Sequence, residues 1–430
     1  MKTIIKKIIF FILKIEARLV LFRYKPKIIA ISGTVGKTTT KDAIFDALSG
    51  NLHVRKNQKS MNSDIGVPLT ILGLETGWND PVHWLKNIFI GFIQIFYHPN
   101  YPKWLILEVG IDRPNDMKKT ASWLKPDVAV LTAFGEIPVH VEFFEDPDDV
   151  TREEADLVNY LKKDGIVILN ADDEKAFKIK SHLKNKVYTF GKGPNADIVG
   201  SNYAVLYKEN FPIGASFKIN YDGKILPVSV FGVMGDQIMY PILAAFSVAF
   251  AINLSPISVT ENLLKFRAPK GRMNIIRGKN NSILIDDSYN SSPIALTSAI
   301  NNLAEIKTEG KKIAVLGDMT EIGRFSASEH RKIGSLIKKH KIDFLITIGF
   351  VSELINDQAI EDGMAKSRNF HFSKSTDALE KVLEFLESDN VFLVKGSQSM
   401  RMEKISKIIL ADGLNPEDYL VRQESEWLNR

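Results

Sequence analysis

Two rhythms alternate along this chain. Short runs of Ile, Val and Leu, wholly apolar or alternating with polar residues, are separated by stretches with a helical period. Ile28–Ser32, Trp104–Glu108, Asp127–Thr132 and Gly165–Asn170 read as strands, with helices over Thr39–Leu48 and Thr151–Lys162. Strands separated by helices imply parallel sheets, because a parallel pair needs a crossover between its members. The stretch Ala196–Val230 breaks this rule. It reads as antiparallel strands turning at Asn210-Phe211-Pro212 and Tyr221-Asp222-Gly223, and an Ala-rich helix, Tyr240–Ile252, follows. Near Ala268-Pro269-Lys270-Gly271 the α/β rhythm restarts. Strands are expected at Ile283–Asp287, Lys312–Gly317, Phe344–Ile348 and Val391–Lys395, and helices at Ile294–Glu305, Ser326–His340 and Met400–Leu410. No internal repeat or low-complexity segment interrupts this order.

Two segments fit neither rhythm. Residues 1–27 carry eight Lys/Arg against Glu16 alone, a net of +7, although the whole chain of 430 residues is only +5. The rest of the chain is therefore slightly acidic, which argues against a nucleic-acid binder. Lys7, Lys14, Arg18 and Lys25 fall on one helical stripe among Ile, Phe and Leu, so this arm is a basic amphipathic helix. Its uncharged run, Ile8–Leu13, is far short of the ~20 residues a membrane span requires. Two readings stand: a peripheral contact with an anionic membrane surface, or a helix packed on its own domain. The second segment, Trp84–Tyr97 ("WLKNIFIGFIQIFY"), is strongly apolar but also too short to span. A buried helix is its expected state, with a membrane- or partner-facing patch as the alternative.

Composition narrows the chemistry. Apolar content of 45% and charged content of 25% are ordinary for a globular protein, and the length suits two or three domains. There is no cysteine, so disulfides, thiolate metal sites and a cysteine nucleophile are excluded. Directly after the first strand comes "SGTVGKTTT" (Ser32–Thr40). A phosphate cradle needs inward N–H groups, a lysine and a hydroxyl for Mg²⁺. Gly33, Thr34 and Gly36 supply the turn, Lys37 the charge, and Thr38 and Thr39 the hydroxyls. The longer G-x-x-x-x-G-K-[ST] pattern would need glycine at position 31, where Ile31 stands, so this is a shorter G-T-x-G-K-T loop. A plain glycine turn with a surface lysine is the alternative. Two glycines, a lysine and three threonines together at a strand end weigh against it.

Further motifs follow in order: "NSDIGVPLT" (62–70), "LEVGIDRPNDM" (107–117), "HVE" (140–142), "ILNADDE" (168–174), "GRM" (271–273), "IDDSYNSSP" (285–293), "VLGDMTEIG" (315–323) and "VKGSQSMRME" (394–403). From about residue 28 to 412 this set resembles the Mur ligases, and within them the branch that adds D-alanyl-D-alanine to a UDP-N-acetylmuramoyl-tripeptide. The resemblance implies an α/β protein with three parts. A basic amphipathic helix spans 1–27. A P-loop-type central ATPase domain with a mostly parallel sheet spans 28–268, and a Rossmann-like C-terminal domain spans 269–430. It implies an ATP- and Mg²⁺-dependent amide ligase of peptidoglycan precursor synthesis, cytoplasmic and monomeric, working through an acyl phosphate. The site residues carried over are Lys37, Glu108, His140 and Glu154 for catalysis, with Thr38, Glu108, His140 and Glu154 around Mg²⁺. Gly33, Thr34, Gly36, Lys37, Thr38, Thr39, Arg272, Asp287, Tyr289 and Asn290 would hold ATP, with Asp286 the rival of Asp287. Asn62, Ser63, Lys395 and Ser397 would meet the other substrates.

Three departures qualify the resemblance. Where the family carries a carbamylated lysine, fourteen residues past the histidine, stands Glu154, a native but shorter carboxylate. The helix start G-x-H-N-x-x-N appears as Gly235-Asp-Gln-Ile-Met-Tyr-Pro241. Gln237 can replace a hydrogen bond there, while Ile238 and Pro241 cannot. Only 27 residues precede the loop region, where the family has a separate UDP-binding domain. The uridine grip is therefore expected to be absent or supplied otherwise. Two rivals follow. One is a Mur-type ligase for another carboxylate and amine, such as a lipid-linked peptide, a folate or an amino-acid polymer. The other is a catalytically weak nucleotide-dependent scaffold at a membrane surface.

Overall fold

The computed structural model describes residues 3–58 and 61–428. Met1 and Lys2 of the expected N-terminal arm lie outside them. Among the described residues fifteen strands form two sheets. The first contains β1 (Lys27–Ser32), β2 (Val54–Lys56), β3 (Trp104–Glu108), β4 (Val128–Leu131), β5 (Ile166–Asn170), β6 (Lys186–Gly191), β7 (Ile198–Lys208), β8 (Phe211–Tyr221) and β9 (Lys224–Phe231). Their spatial order is β2-β3-β1-β4-β5-β6-β7-β8-β9. Pairing is parallel as far as β7 and antiparallel from β7 to β9. The β8–β9 turn falls at Asp222 (φ 49°) and Gly223 (φ 72°), the two left-handed residues of a tight hairpin.

The second sheet contains β10 (Asn274–Arg277), β11 (Ile283–Asp287), β12 (Lys312–Gly317), β13 (Phe344–Ile348), β14 (Asn369–Phe372) and β15 (Val391–Lys395). Its order is β10-β11-β15-β12-β13-β14, parallel except for β10. Its central strands are wholly buried, which is why they read as unbroken apolar runs.

Two helices have bounds well away from the sequence expectation. The expected helix Thr151–Lys162 instead begins at Pro147, after an Asp146/Asp149 capping box with proline in the first turn, and ends at Ala155. A 3₁₀ segment, Asp156–Tyr160, continues it. The expected helix Met400–Leu410 is shortened to Glu403–Ile409, because Arg401 adopts a left-handed conformation with φ 55°.

Four helices on the first sheet matter below: α1 (Thr3–Tyr24), α2 (Lys37–Ser49), α3 (Gly66–Leu72) and α4 (Pro81–Phe96). α1 packs on α3 and α4 through buried Ile9, Leu13, Ala17 and Val20, so part of the N-terminal arm belongs to the core. α4 is not the buried helix expected. Trp84, Asn87 and Gly91 face inward, but Leu85, Phe89, Phe92 and Phe96 are exposed. Among the described residues no helix is long and apolar enough to cross a membrane.

Candidate active site

β1 runs into the loop Gly33–Gly36, and α2 starts at Lys37. Gly33 has φ 126°, and a Cβ there would stand 2.2 Å from Thr132 Oγ1, so only glycine lets the loop lie against the end of β4. Gly36, at φ 89°, precedes α2, and no side chain caps that helix. Its first-turn N–H groups therefore remain available to an anion, which the helix dipole also favours.

Lys37 Nζ donates to the Gly33 carbonyl and to Glu154 Oε1, 3.2 Å away. Thr34 Oγ1 donates to Glu154 Oε2 at 2.9 Å. The buried Glu154, from the helix Pro147–Ala155, thus lays its carboxylate across the loop and gives Lys37 an anionic partner.

Glu108 ends β3, in register with Ile31 of β1. Its backbone N–H donates to Asn57 Oδ1 at 2.7 Å. Thr38 Oγ1 (3.2 Å) and Asn62 Nδ2 (2.9 Å) both donate to Glu108 Oε1. Oε2 is buried and accepts no hydrogen bond among the described residues, with Lys41 Nζ 3.9 Å away. Lys41, one helical turn after Lys37, is itself buried. Desolvation pulls its pKa down, and Asp42 and Glu108 oppose that shift. Asn62 therefore holds the carboxylate in place. Ser63, its neighbour, is exposed, and its carbonyl accepts the Val67 N–H.

His140, at φ 69°, has its Nδ1 2.8 Å from Glu321 Oε2 and its Nε2 3.8 Å from Asp112 Oδ1. Glu321 comes from the loop after β12, so this contact joins the two sheets' bodies. Its hydrogen bond with His140 holds the Glu321 carboxyl below its ordinary range.

The opposite wall comes from the second sheet. The Arg272 guanidinium lies over the Tyr289 ring, 4.3 Å from its centre. Asp287 and Asp286 end β11 on opposite faces, as strand alternation requires. Asp287 lines the cleft, accepts the Met273 N–H (3.2 Å) and pairs with Lys395 Nζ (2.7 Å). Asp286 points the other way and accepts the Ser406 hydroxyl at 2.6 Å, and burial pushes its pKa up to about 6. Lys395 also donates to the Asn290 carbonyl at 2.9 Å. Burial lowers its pKa, and Asp287 acts against that. Ser397 is buried, and its hydroxyl accepts the Thr320 N–H at 2.9 Å.

Between these walls lies a cavity of about 660 Å³. Thr34, Gly36, Lys37, Thr38, Thr39, Asn62, Glu108 and His140 line one side, and Arg272, Asp287, Tyr289, Asn290 and Lys395 the other. Gly33, Ser63, Glu154 and Ser397 are not among its lining residues. Residues for which no role was read in the sequence line its far end. Asp172 accepts from Gly193 N–H (2.9 Å) and Tyr240 Oη (3.1 Å), and Lys192 pairs with Asp236. The "ILNADDE" motif was the signal for that end. Gln237 also lines the cavity, but its Oε1 accepts from Ser298 Oγ and Asn302 Nδ2.

Thr38 Oγ1 and Glu108 Oε2, which accepts no hydrogen bond among the described residues and has only the longer ion pair to Lys41, are hard oxygen donors at the mouth of the loop. They fit a Mg²⁺ that takes its remaining ligands from phosphate and water. Among the described residues no three His, Asp or Glu side chains stand together as a metal cluster. Glu154 is engaged by Lys37 and Thr34, and His140 by Glu321.

A glycine loop feeding an uncapped helix, a lysine and a buried carboxylate beside it, and a facing wall from a second α/β unit define a phosphate-binding-loop protein with its cleft between two sheets. The chain belongs to the Mur ligase family: a Mur ligase middle domain matches residues 31–249, and a Mur ligase glutamate ligase domain matches 271–398. It is 25% identical over 389 residues to the UDP-N-acetylmuramoyl-tripeptide–D-alanyl-D-alanine ligase of Bacillus subtilis, covering 90% of this chain and 77% of that one. The fold is similar to MurF from Acinetobacter baumannii, with TM-score 0.76, 22% identity and coverage of 92% of this chain and 79% of that one. It is likewise similar to MurF from Thermotoga maritima in complex with ADP, with TM-score 0.75, 23% identity and coverage of 93% and 83%.

Proposed function

We propose that this chain is an ATP-dependent amide ligase that joins D-alanyl-D-alanine to UDP-N-acetylmuramoyl-tripeptide in peptidoglycan precursor synthesis. The observation that carries this reading is Glu108 with Thr38 and Lys37 at the mouth of an uncapped helix, facing Arg272, Asp287 and Lys395 across one cleft. In this reading residues 28–268 form the ATP-binding domain and 269–430 the second domain, which closes on it. The protein works as a cytoplasmic monomer.

The chemistry is positioning and charge neutralisation. ATP lies across the loop with its β- and γ-phosphates on Lys37 and the first-turn N–H groups of α2. Thr38 and Glu108 would hold a Mg²⁺, which would supply charge neutralisation for the phosphates and the incoming carboxylate. The tripeptide carboxylate attacks the γ-phosphorus, the bond to the β-phosphate oxygen breaks, and ADP leaves with its electron pair. The amine of D-alanyl-D-alanine then attacks the acyl carbon, the carbon–oxygen bond to phosphate breaks, and inorganic phosphate departs with the proton the amine gives up. Arg272 serves the nucleotide phosphates, Asp287 the ribose hydroxyls, and Tyr289 and Asn290 border the base. Lys395 lies on the side from which the amine enters. Glu154 and His140 adjust the loop and the closing contact as the phosphates take over Lys37.

The test is a ligation assay with UDP-N-acetylmuramoyl-tripeptide, D-alanyl-D-alanine, ATP and Mg²⁺, following the new peptide and phosphate together. Equal appearance of both is expected. Phosphate release that depends on a different acceptor would move the chain to another ligase specificity, and no acceptor-dependent release would remove the ligase reading.

A further inference from the structure

α1 and α4 lie side by side and run the same way. Phe10 of α1 meets Trp84 of α4 with ring centres 5.8 Å apart, and Tyr24 Oη donates to the Gln94 carbonyl at 2.9 Å. Between these contacts Glu16 fits against Gly91, where a Cβ would stand 2.2 Å from Glu16 Oε2. Each helix uses one stripe to hold the body of the protein and leaves a second apolar stripe uncovered.

On α1 the uncovered stripe is Ile8, Phe11, Ile15, Leu19 and Phe22, spaced three and four residues apart. On α4 it includes Leu85, Phe89, Phe92 and Phe96. These side chains are between 41% and 78% exposed. Half of the large apolar side chains exposed among the described residues lie on these two helices, so the patch is a concentrated feature and not scattered surface hydrophobicity.

The exposed charges within the two helices have one sign, although the exposed Asp80 caps the start of α4. Lys6, Lys7, Arg18 and Arg23 of α1 and Lys86 of α4 are exposed, while the acid within α1, Glu16, is buried at the joint. At the C-terminal ends of both helices a cavity of about 390 Å³ is lined by Arg23, Tyr24, Tyr97, His98, Tyr101 and Lys103. Cations and tyrosines together are the side chains that settle at the headgroup level of a bilayer. A second copy of this chain would bring two such basic arms together. An anionic lipid surface instead satisfies both the apolar stripes and the flanking cations.

We propose that the paired α1–α4 face is a membrane-docking surface that lies flat in an anionic phospholipid leaflet. The aromatic side chains enter the acyl boundary, and the lysines and arginines meet the lipid phosphates. The active-site cleft is built from other elements, so docking leaves it accessible.

The absence of cysteine from the sequence makes a direct test simple. The full chain is mixed with vesicles of phosphatidylcholine alone, or of phosphatidylcholine with phosphatidylglycerol, and sedimented. Capture by the mixed vesicles and little by the neutral ones is expected. The double variant Phe89→Ser/Phe92→Ser, with an unchanged circular dichroism spectrum, should lose about tenfold in vesicle partitioning. As a second measurement, Phe92→Cys carrying a polarity-sensitive dye should shift to the blue on mixed vesicles. The same dye at Phe350→Cys, an exposed site of the second body, should not. A chain that stays in the supernatant, binds neutral vesicles equally well, sediments alike with and without Phe89 and Phe92, or buries the Phe92 dye in a lipid-free dimer would overturn the proposal.

Discussion

His140 Nδ1 and Glu321 Oε2 stand 2.8 Å apart and belong to bodies built on different sheets. Nearby, Arg324 donates to the Glu145 carbonyl at 3.1 Å, so the loops around His140 and Glu321 meet at two points. A closing motion of the two bodies would have to make this contact. The contact couples the position of His140 beside the nucleotide site to the loop that follows β12.

Replacing Glu321 by Gln should loosen that closure without unfolding either body. The pair is partly exposed, so its loss should cost about 0.2–1 kcal/mol. The sign with pH follows from the lowered Glu321 pKa. The contribution is present above the ordinary value of 4.5 and is lost as pH falls through the depressed folded value. Small-angle scattering should show a broader distance distribution for Glu321→Gln at neutral pH, and steady-state assays a modest fall in kcat. Identical scattering and kinetics would mean that the contact does not govern closure.

In the proposed reading, Lys37→Ala should remove the charge that meets the β- and γ-phosphates. A fall in kcat/KM of at least about 10²-fold is expected, on the scale seen when a positioned electrostatic donor is lost. The fold should persist, because Lys37 lies at the start of α2 with its amine at the cleft. Near-normal product formation would place the nucleotide elsewhere.

Glu154 makes a less obvious prediction. Its carboxylate already occupies Lys37 and Thr34, so a phosphate must compete with it for the same donors. Glu154→Gln removes the competing charge while keeping the shape. Without Mg²⁺, the ADP dissociation constant should fall by about tenfold, equivalent to ~1.4 kcal/mol, while ligation with Mg²⁺ slows. Calorimetry with and without Mg²⁺ measures both effects. Unchanged or weaker Mg²⁺-free binding would show that the carboxylate does not contest the loop.

The legible parts of this structure were those set by local pattern. β3, β11, β12, β13 and β15 match the apolar runs end for end, because buried parallel strands leave no room for polar interruption. The strand–glycine loop–helix unit at Ser32–Lys37 was legible because its glycines, lysine and threonines are contiguous. The helix carrying Glu154 starts earlier than its apolar period suggests because the Asp146/Asp149 capping box and Pro147, polar residues outside that period, set its first turn. The Glu321–His140 contact spans 181 residues, and neither side chain alone signals the other. Burial of Lys41 was hidden by its place in a polar Thr-Thr-Thr-Lys run. α4 read as buried because apolar content was taken as a sign of the core, whereas a helix can carry two apolar faces and bury only one.

The joint between α1 and α4 yields a pH signature. Glu16 is buried there against Gly91, its Oε2 accepts no hydrogen bond among the described residues, and burial pushes its carboxyl from the ordinary 4.5 up to about 7. Between those values the folded chain holds a proton that the unfolded chain has released. Stability therefore falls as pH rises through that window, and the loss is complete above the folded pKa. Asp46 and Asp286 are also raised, to about 6, and push in the same direction, so the slope of the natural protein alone does not isolate Glu16. The comparison with Glu16→Gln does, because the other two groups are common to both proteins. Thermal midpoints measured from about pH 5 to about pH 8 should decline less steeply in the variant, with the largest gain at the alkaline end. Parallel curves for the two proteins would show that Glu16 ionises without cost and that water reaches the α1–α4 joint.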